Sequence, residues 1–73
     1  MSNLVGQTIT LDKTEVYLED VGGDLTTPGY ATGEFSVEEY WPYEPAAYCY
    51  EAGYLIHSEQ QGIDAFLPIR EIE

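Results

Sequence analysis

Between Lys13 and Arg70 the chain runs for 56 residues without a lysine or arginine, and that span holds 11 carboxylates. A fold built over it cannot neutralise these acids with internal ion pairs, so nearly all of them must stay in water. Over the whole chain 14 acids face 2 cations, a formal charge of −12. Self-repulsion of that size works against a compact state and exceeds the roughly 2 to 8 charges that keep a small domain soluble. A functional reason for the surplus is expected. The same imbalance argues against direct contact with nucleic acid or an anionic membrane surface, because both repel a chain with so few cations.

With 73 residues the chain is expected to form a single domain, residues 1–73. A domain of this size hides only about 60% of its unfolded surface, so a deep catalytic cleft would consume most of its core. Leu, Ile, Val and Phe make up 17 of the 73 residues, just above the roughly 20% below which a highly charged chain stays disordered. Seven tyrosines and one tryptophan tip the balance toward folding, since each aromatic ring can bury on the order of 150 to 250 Å².

Alternation is the dominant local pattern. Ile9 and Leu11 share one face against Thr8 and Thr10, and Val16 and Leu18 share one against Glu15, Tyr17 and Glu19. Each run has the period of two of a half-buried strand. Asp12-Lys13-Thr14 between them reads as a turn, making the pair a hairpin. Residues 20–33 hold four glycines and Pro28 and read as a mobile loop. Glu34 to Trp41 alternates best, with Phe35 and Val37 opposite Glu34, Ser36, Glu38 and Tyr40. Pro42 and Pro45 then hold Tyr43 and Glu44 in extended or turned backbone.

Residues 46–58 carry two signals: Ala46, Ala47, Glu51 and Ala52 favour helix, while the β-branched and aromatic residues of Tyr48 to His57 favour strand; strand is the preferred reading over helix, with Gly53 at a bulge or bend. Ile63, Phe66 and Leu67 have helical spacing, but Pro68 limits them to one turn, followed by a short strand through Ile69 and Ile72. The predicted fold is α+β or mostly β, a small antiparallel sheet of about four to five strands with at most one short helix.

The chemistry present is sparse, and no catalytic residue, metal ligand or cofactor is assigned. His57 is the one imidazole available to every hydroxyl and thiol, and a lone histidine on an apolar-leaning segment is more often structural than catalytic. Cys49 is the only cysteine, which excludes an internal disulfide and a four-cysteine zinc site. Neighbours Glu38 and Glu39 should diverge on a strand rather than converge as an acid–base pair. Gly22-Gly23-Asp24 lacks the lysine of a phosphate loop. The acids from Glu19 to Asp24 miss the calcium-loop spacing. A cytoplasmic location is expected, because the first residues, MSNLVGQTIT, have neither the basic nor the apolar part of a secretory signal. No stretch approaches the roughly 20 apolar residues of a membrane span.

Charge is therefore the feature left to explain. Carboxylates on one strand face repeat at roughly 6.6 Å, and DNA phosphates rise about 3.4 Å per step along each strand. A face carrying Glu34 and Glu38, with Glu39, Glu44, Glu51 and Asp24 near it, would present negative points at spacings that a DNA-binding groove accepts. Tyr40 and Tyr43 add contact area and hydroxyls, and Trp41 adds an anchor of the kind that dominates interfaces.

In size and charge the chain resembles the small acidic phage-encoded inhibitors that mimic nucleic acid, the anti-restriction and anti-CRISPR proteins among them. The resemblance covers the whole chain and rests on no motif. It implies a non-enzymatic protein inhibitor that blocks DNA binding by occupying the basic nucleic-acid-binding site of a bacterial defence effector, most readily a CRISPR–Cas complex, in the host bacterial cytoplasm. Two rivals stand beside it. One is a phage structural or virion-accessory module that grips through Tyr-rich strands between Tyr40 and Tyr54. The other is an acidic calcium-binding module. Oligomeric state and target identity are not encoded in any pattern of the sequence.

Overall fold

The computed structural model describes residues 4–42 and 52–71. Four strands make up most of it: β1 (Thr8–Glu19), β2 (Leu25–Trp41), β3 (Gly53–Ser58) and β4 (Ile63–Pro68), followed by a 3-10 turn over Ile69–Glu71. All pairings are antiparallel, and the sheet closes on itself in the order β1-β2-β3-β4. Closure rests on two pairs, Tyr17 with Phe66 and Leu18 with Ala65. The predicted small antiparallel sheet is thus observed, in its mostly β form. Among the described residues no helix is long and apolar enough to cross a membrane.

So few strands close because β2 serves both sides of the barrel. Its first part pairs with β1 up to Ser36, and its last part pairs with β3 from Ser36 onward. Seventeen residues laid straight would span roughly 55 Å at about 3.3 Å each, whereas the longest dimension of the molecule is 33 Å. The strand has to curl. Gly33 supplies a bend, with φ at +112°, a value that a side chain strongly disfavours.

The interior alternation holds within each run, and bulges carry it across the breaks. Leu11 and Val16 are both buried although five residues apart, an odd spacing that places strand residues on opposite faces. An extra residue in β1 between Leu11 and Thr14, where Lys13 takes φ of +49°, returns Val16 to the inside. The core gathers Val16, Phe35, Val37, Ile56, Ala65 and Leu67, with Leu11, Ala31 and Tyr54 around them. Burying each large aliphatic or Phe side chain contributes about 1.5 to 3 kcal/mol.

Four local expectations are corrected. Asp12-Lys13-Thr14 is a bulge inside one strand and not a hairpin turn, because the chain keeps its partner β2 on both sides of it. Of the loop expected over 20–33, only the turn before Leu25 exists; the rest is β2. Pro28 is tolerated there because this part of β2 pairs with β1 alone, so its missing N–H faces an open edge. The segment read as a helical turn followed by a strand has the reverse order, strand β4 and then the 3-10 turn. Gly53 is the first residue of β3 and pairs with Trp41, while the bulge lies in β2 between Val37 and Glu39, opposite Ile56 and Leu55. Of the stretch 46–58, residues 53–58 are strand, and 46–51 lie outside the described residues.

Candidate functional site

Residues directly opposite one another in a sheet share a face, so the registers specify what lies on the outside of the barrel. One row runs Tyr17, Phe66, Leu55, Glu39 across β1, β4, β3 and β2. The row on one side of it is Asp64, His57, Ser36 and Thr8. The row on its other side is Pro68, Gly53 and Trp41. The opposite face of these strands carries Ala65, Leu67, Ile56 and Val37, which are core.

Glu39 and Trp41 reach this outer face because of a bulge. Val37 pairs with Ile56 and Glu39 pairs with Leu55, so β2 spends one residue more than β3 between them, and Glu38 is the extra one. Without the bulge Tyr40 would share the outer face with Ser36, as the alternation predicts, and Trp41 would point inward. With it Tyr40 turns to the side of its partner Tyr54, the two rings meeting edge to face at 5.4 Å, and Trp41 joins the exterior. The expectation that Tyr40 shares a face with Glu34 and Ser36 is therefore corrected, although the ring keeps 46% of its surface in water at the barrel end.

The exterior has an aromatic centre. The ring of Phe66 stands 6.2 Å from that of Tyr17 and 5.9 Å from that of Trp41, and Phe66 is buried although it faces outward. Gly53 makes this possible: a Cβ there would lie 2.6 Å from Cζ of Phe66 and 2.3 Å from the carbonyl oxygen of Leu67. Tyr17 and Trp41 are only partly covered. Tyr30, opposite Glu15 on β2, is 71% exposed.

Exposed carboxylates lie along β2 from this centre: Glu39 in the row of Phe66, Glu38 next to it, and Glu34 two outward rows away. None of the three side chains makes a hydrogen bond or ion pair with another described residue. Glu15 is held by Arg70, Nη2 to Oε1 at 3.0 Å, while Nη1 of the same guanidinium donates to Glu71 at 2.8 Å. Of the two cations, then, one is already engaged by acids of this chain. Asp24 lies at the far end of β2, in the turn that joins β1 to β2, and is not brought to this face. Tyr43, Glu44 and Glu51, the other expected contact residues, lie outside the described residues, as does Cys49.

Two other arrangements were candidates for chemistry. Ser36, His57 and Asp64 stand side by side, and Nδ1 of His57 is 2.7 Å from Oδ1 of Asp64. The Ser36 hydroxyl donates to the backbone carbonyl of His57 at 3.2 Å, which aims its hydrogen away from the imidazole that would have to accept it in a nucleophilic site. In the β1–β2 turn Asp20 accepts from the amides of Gly22 and Asp24 with Oδ1, at 2.8 and 3.0 Å, and from the Thr26 hydroxyl with Oδ2 at 3.0 Å. The backbone amides of Asp24 and Gly22, followed by the Thr26 hydroxyl, hold its carboxyl below the ordinary value of 3.8. This carboxylate is committed to its own turn. Among the described residues no three His, Cys, Asp or Glu side chains form a group that could hold a metal ion.

The sequence places Glu34, Glu39 and Trp41 among the candidate contact residues and gives no sign that Tyr17, Tyr30 and Phe66 lie on the barrel exterior. Tyr30 falls in the predicted loop, and Phe66 in a predicted helical turn. Only the strand registers join Tyr17 and Phe66, which lie 49 positions apart in the chain. Comparison with protein-family models, with curated proteins and with solved structures finds no match.

Proposed function

We propose that this chain is a non-enzymatic binding protein whose acidic barrel face docks on a basic nucleic-acid-binding site of another protein and excludes DNA from it. The observation that carries this reading is the run of exposed carboxylates Glu34, Glu38 and Glu39 on β2, without an ion-pair partner among the described residues, of which Glu34 and Glu39 share the outer face with Trp41. Glu34, Ser36 and Glu39 are successive outward positions, which puts Glu34 and Glu39 roughly 13 Å apart, less than two Debye lengths of about 8 Å at physiological salt, with Glu38 next to Glu39. Their fields therefore add toward a partner lined with Lys and Arg, and association is fast and salt-sensitive. The resemblance in size and charge to phage-encoded inhibitors supports an effector of bacterial defence, such as a CRISPR–Cas complex, as the partner.

Competition tests it. Duplex DNA should displace the chain from a captured DNA-binding partner, affinity should fall steeply between low and moderate salt, and Glu34→Lys with Glu38→Lys and Glu39→Lys should abolish binding. Indifference to both DNA and salt excludes mimicry.

A second reading is favoured by the exterior rings of Tyr17, Phe66 and Trp41: an accessory module that assembles with a larger complex through aromatic contact. It is distinguished by the same triple charge reversal, which such a module tolerates, and by Tyr17→Ala, which it does not.

A further inference from the structure

The bulge at Glu38 does more than turn the strand. It sets Trp41 and Glu39 on one outer face, two residues and thus roughly 6.6 Å apart, with the exposed Glu38 beside them. Bulges commonly re-aim side chains in this way next to binding sites. Trp41 is backed by Phe66 at 5.9 Å, so one side of the indole is held by protein while part of the residue remains exposed to solvent. Among the described residues Glu38 and Glu39 have no lysine or arginine partner: Arg70 is taken by Glu15 and Glu71, and Lys13 sits in the β1 bulge.

We infer that Trp41, Glu39 and Glu38 form a seat for an arginine side chain of the partner protein. The guanidinium stacks on the indole, and its N–H groups donate to the carboxylates. Charge complementarity selects a cation, and the flat aromatic surface selects among cations. A guanidinium is planar and weakly hydrated, so it stacks on an aromatic face and still forks onto a carboxylate. An ammonium is a compact, strongly hydrated point charge that gains less from the same surface. Tryptophan is the best of the aromatic side chains for this contact. The inference rests on the proposed docking of this face on a basic protein surface and adds which basic residue it takes.

Trp41 is the only tryptophan, so its fluorescence reports on the seat directly. Hexa-arginine and hexa-lysine peptides are titrated into the full chain at moderate salt, with indole emission and calorimetry read together. The expected result is a saturable change in Trp41 emission with hexa-arginine, binding at least threefold tighter than hexa-lysine, and loss of that preference in Glu39→Gln. Glu34→Gln, on the other side of the bulge, keeps the preference. Equal affinity for the two peptides, an unchanged emission, or a preference that survives Glu39→Gln overturns the inference. These outcomes are independent of the DNA-competition experiment: arginine preference without displacement by DNA leaves the seat standing and removes mimicry, while displacement without preference does the reverse.

Discussion

Gly53 and Phe66 stand so close that a single added carbon on the glycine would come within 2.6 Å of the ring edge. The glycine sits on the barrel exterior beside the ring that Tyr17 and Trp41 flank, and the same carbon would meet the Leu67 carbonyl oxygen at 2.3 Å. A backbone atom cannot swing aside as a side-chain tip can.

Gly53→Ala is accordingly expected to destabilise the fold by about 1 to 3 kcal/mol, the usual cost of overpacking. For a domain of this length about 1 kcal/mol corresponds to a shift of roughly 4 to 8 °C in Tm, so thermal unfolding by circular dichroism is sufficient to detect it. An unchanged Tm would mean that Phe66 and β4 move away at no cost.

Ile56 is fully buried at the centre of β3, opposite Val37 and Ala65. Ile56→Ala removes its packing and leaves a cavity, at a cost of about 2 to 5 kcal/mol, whereas Ile56→Val should cost about 0.5 to 1.5 kcal/mol. Total stability in natural domains is only about 5 to 15 kcal/mol. Urea titration should show the valine variant folded with a lowered midpoint and the alanine variant close to unfolding.

The β1–β2 turn depends on the ionised form of Asp20. Its carboxyl is held below 3.8 by donors that exist only in the folded turn. A depressed carboxylate contributes stability above its unfolded value, and that contribution is lost as pH falls through the folded one. The contribution of Asp20 should thus be intact at neutral pH and be lost progressively as pH falls from 3.8 through the lower folded value. Asp20→Ala should lower Tm at pH 7. Asp20→Asn, which keeps one acceptor oxygen, should lower it less and should remove this part of the acid sensitivity, as a series of melts from pH 7 to pH 3 would show.

Charge repulsion should be visible in the salt response. With a net charge of −12, raising NaCl from about 20 mM to 500 mM shortens the Debye length and should raise Tm. Glu34→Gln, Glu38→Gln and Glu39→Gln together should raise it at low salt as well, since none of the three has a partner to lose. A Tm that falls with salt would point to attractive pairs outweighing the repulsion.

Much of the strand content was legible from residues 8–11, 15–19 and 34–37, where alternation decides which side chains are buried. The same logic failed at Tyr40 and Trp41. A period of two cannot register an inserted residue, and the insertion at Glu38 is defined by the partner strand. It failed again at Gly29 and Gly33, where glycine was read as a loop signal. Gly29 makes room for Leu18, whose Cδ1 would lie 2.7 Å from an added Cβ, and Gly33 bends a continuous strand.

By itself, the sequence determined the charge, the scarcity of cations to balance it, the absence of an internal disulfide and the short alternating runs that bury Phe35, Val37 and Val16. These depend on residue type and near neighbours alone. Only the tertiary structure decided that β2 curls to serve both sides of a closed barrel, that Trp41 faces outward beside Glu39, and that Tyr17 and Phe66 meet. Those outcomes depend on register between strands distant in the chain, and a one-residue slip in register exchanges the inside of a sheet for its outside.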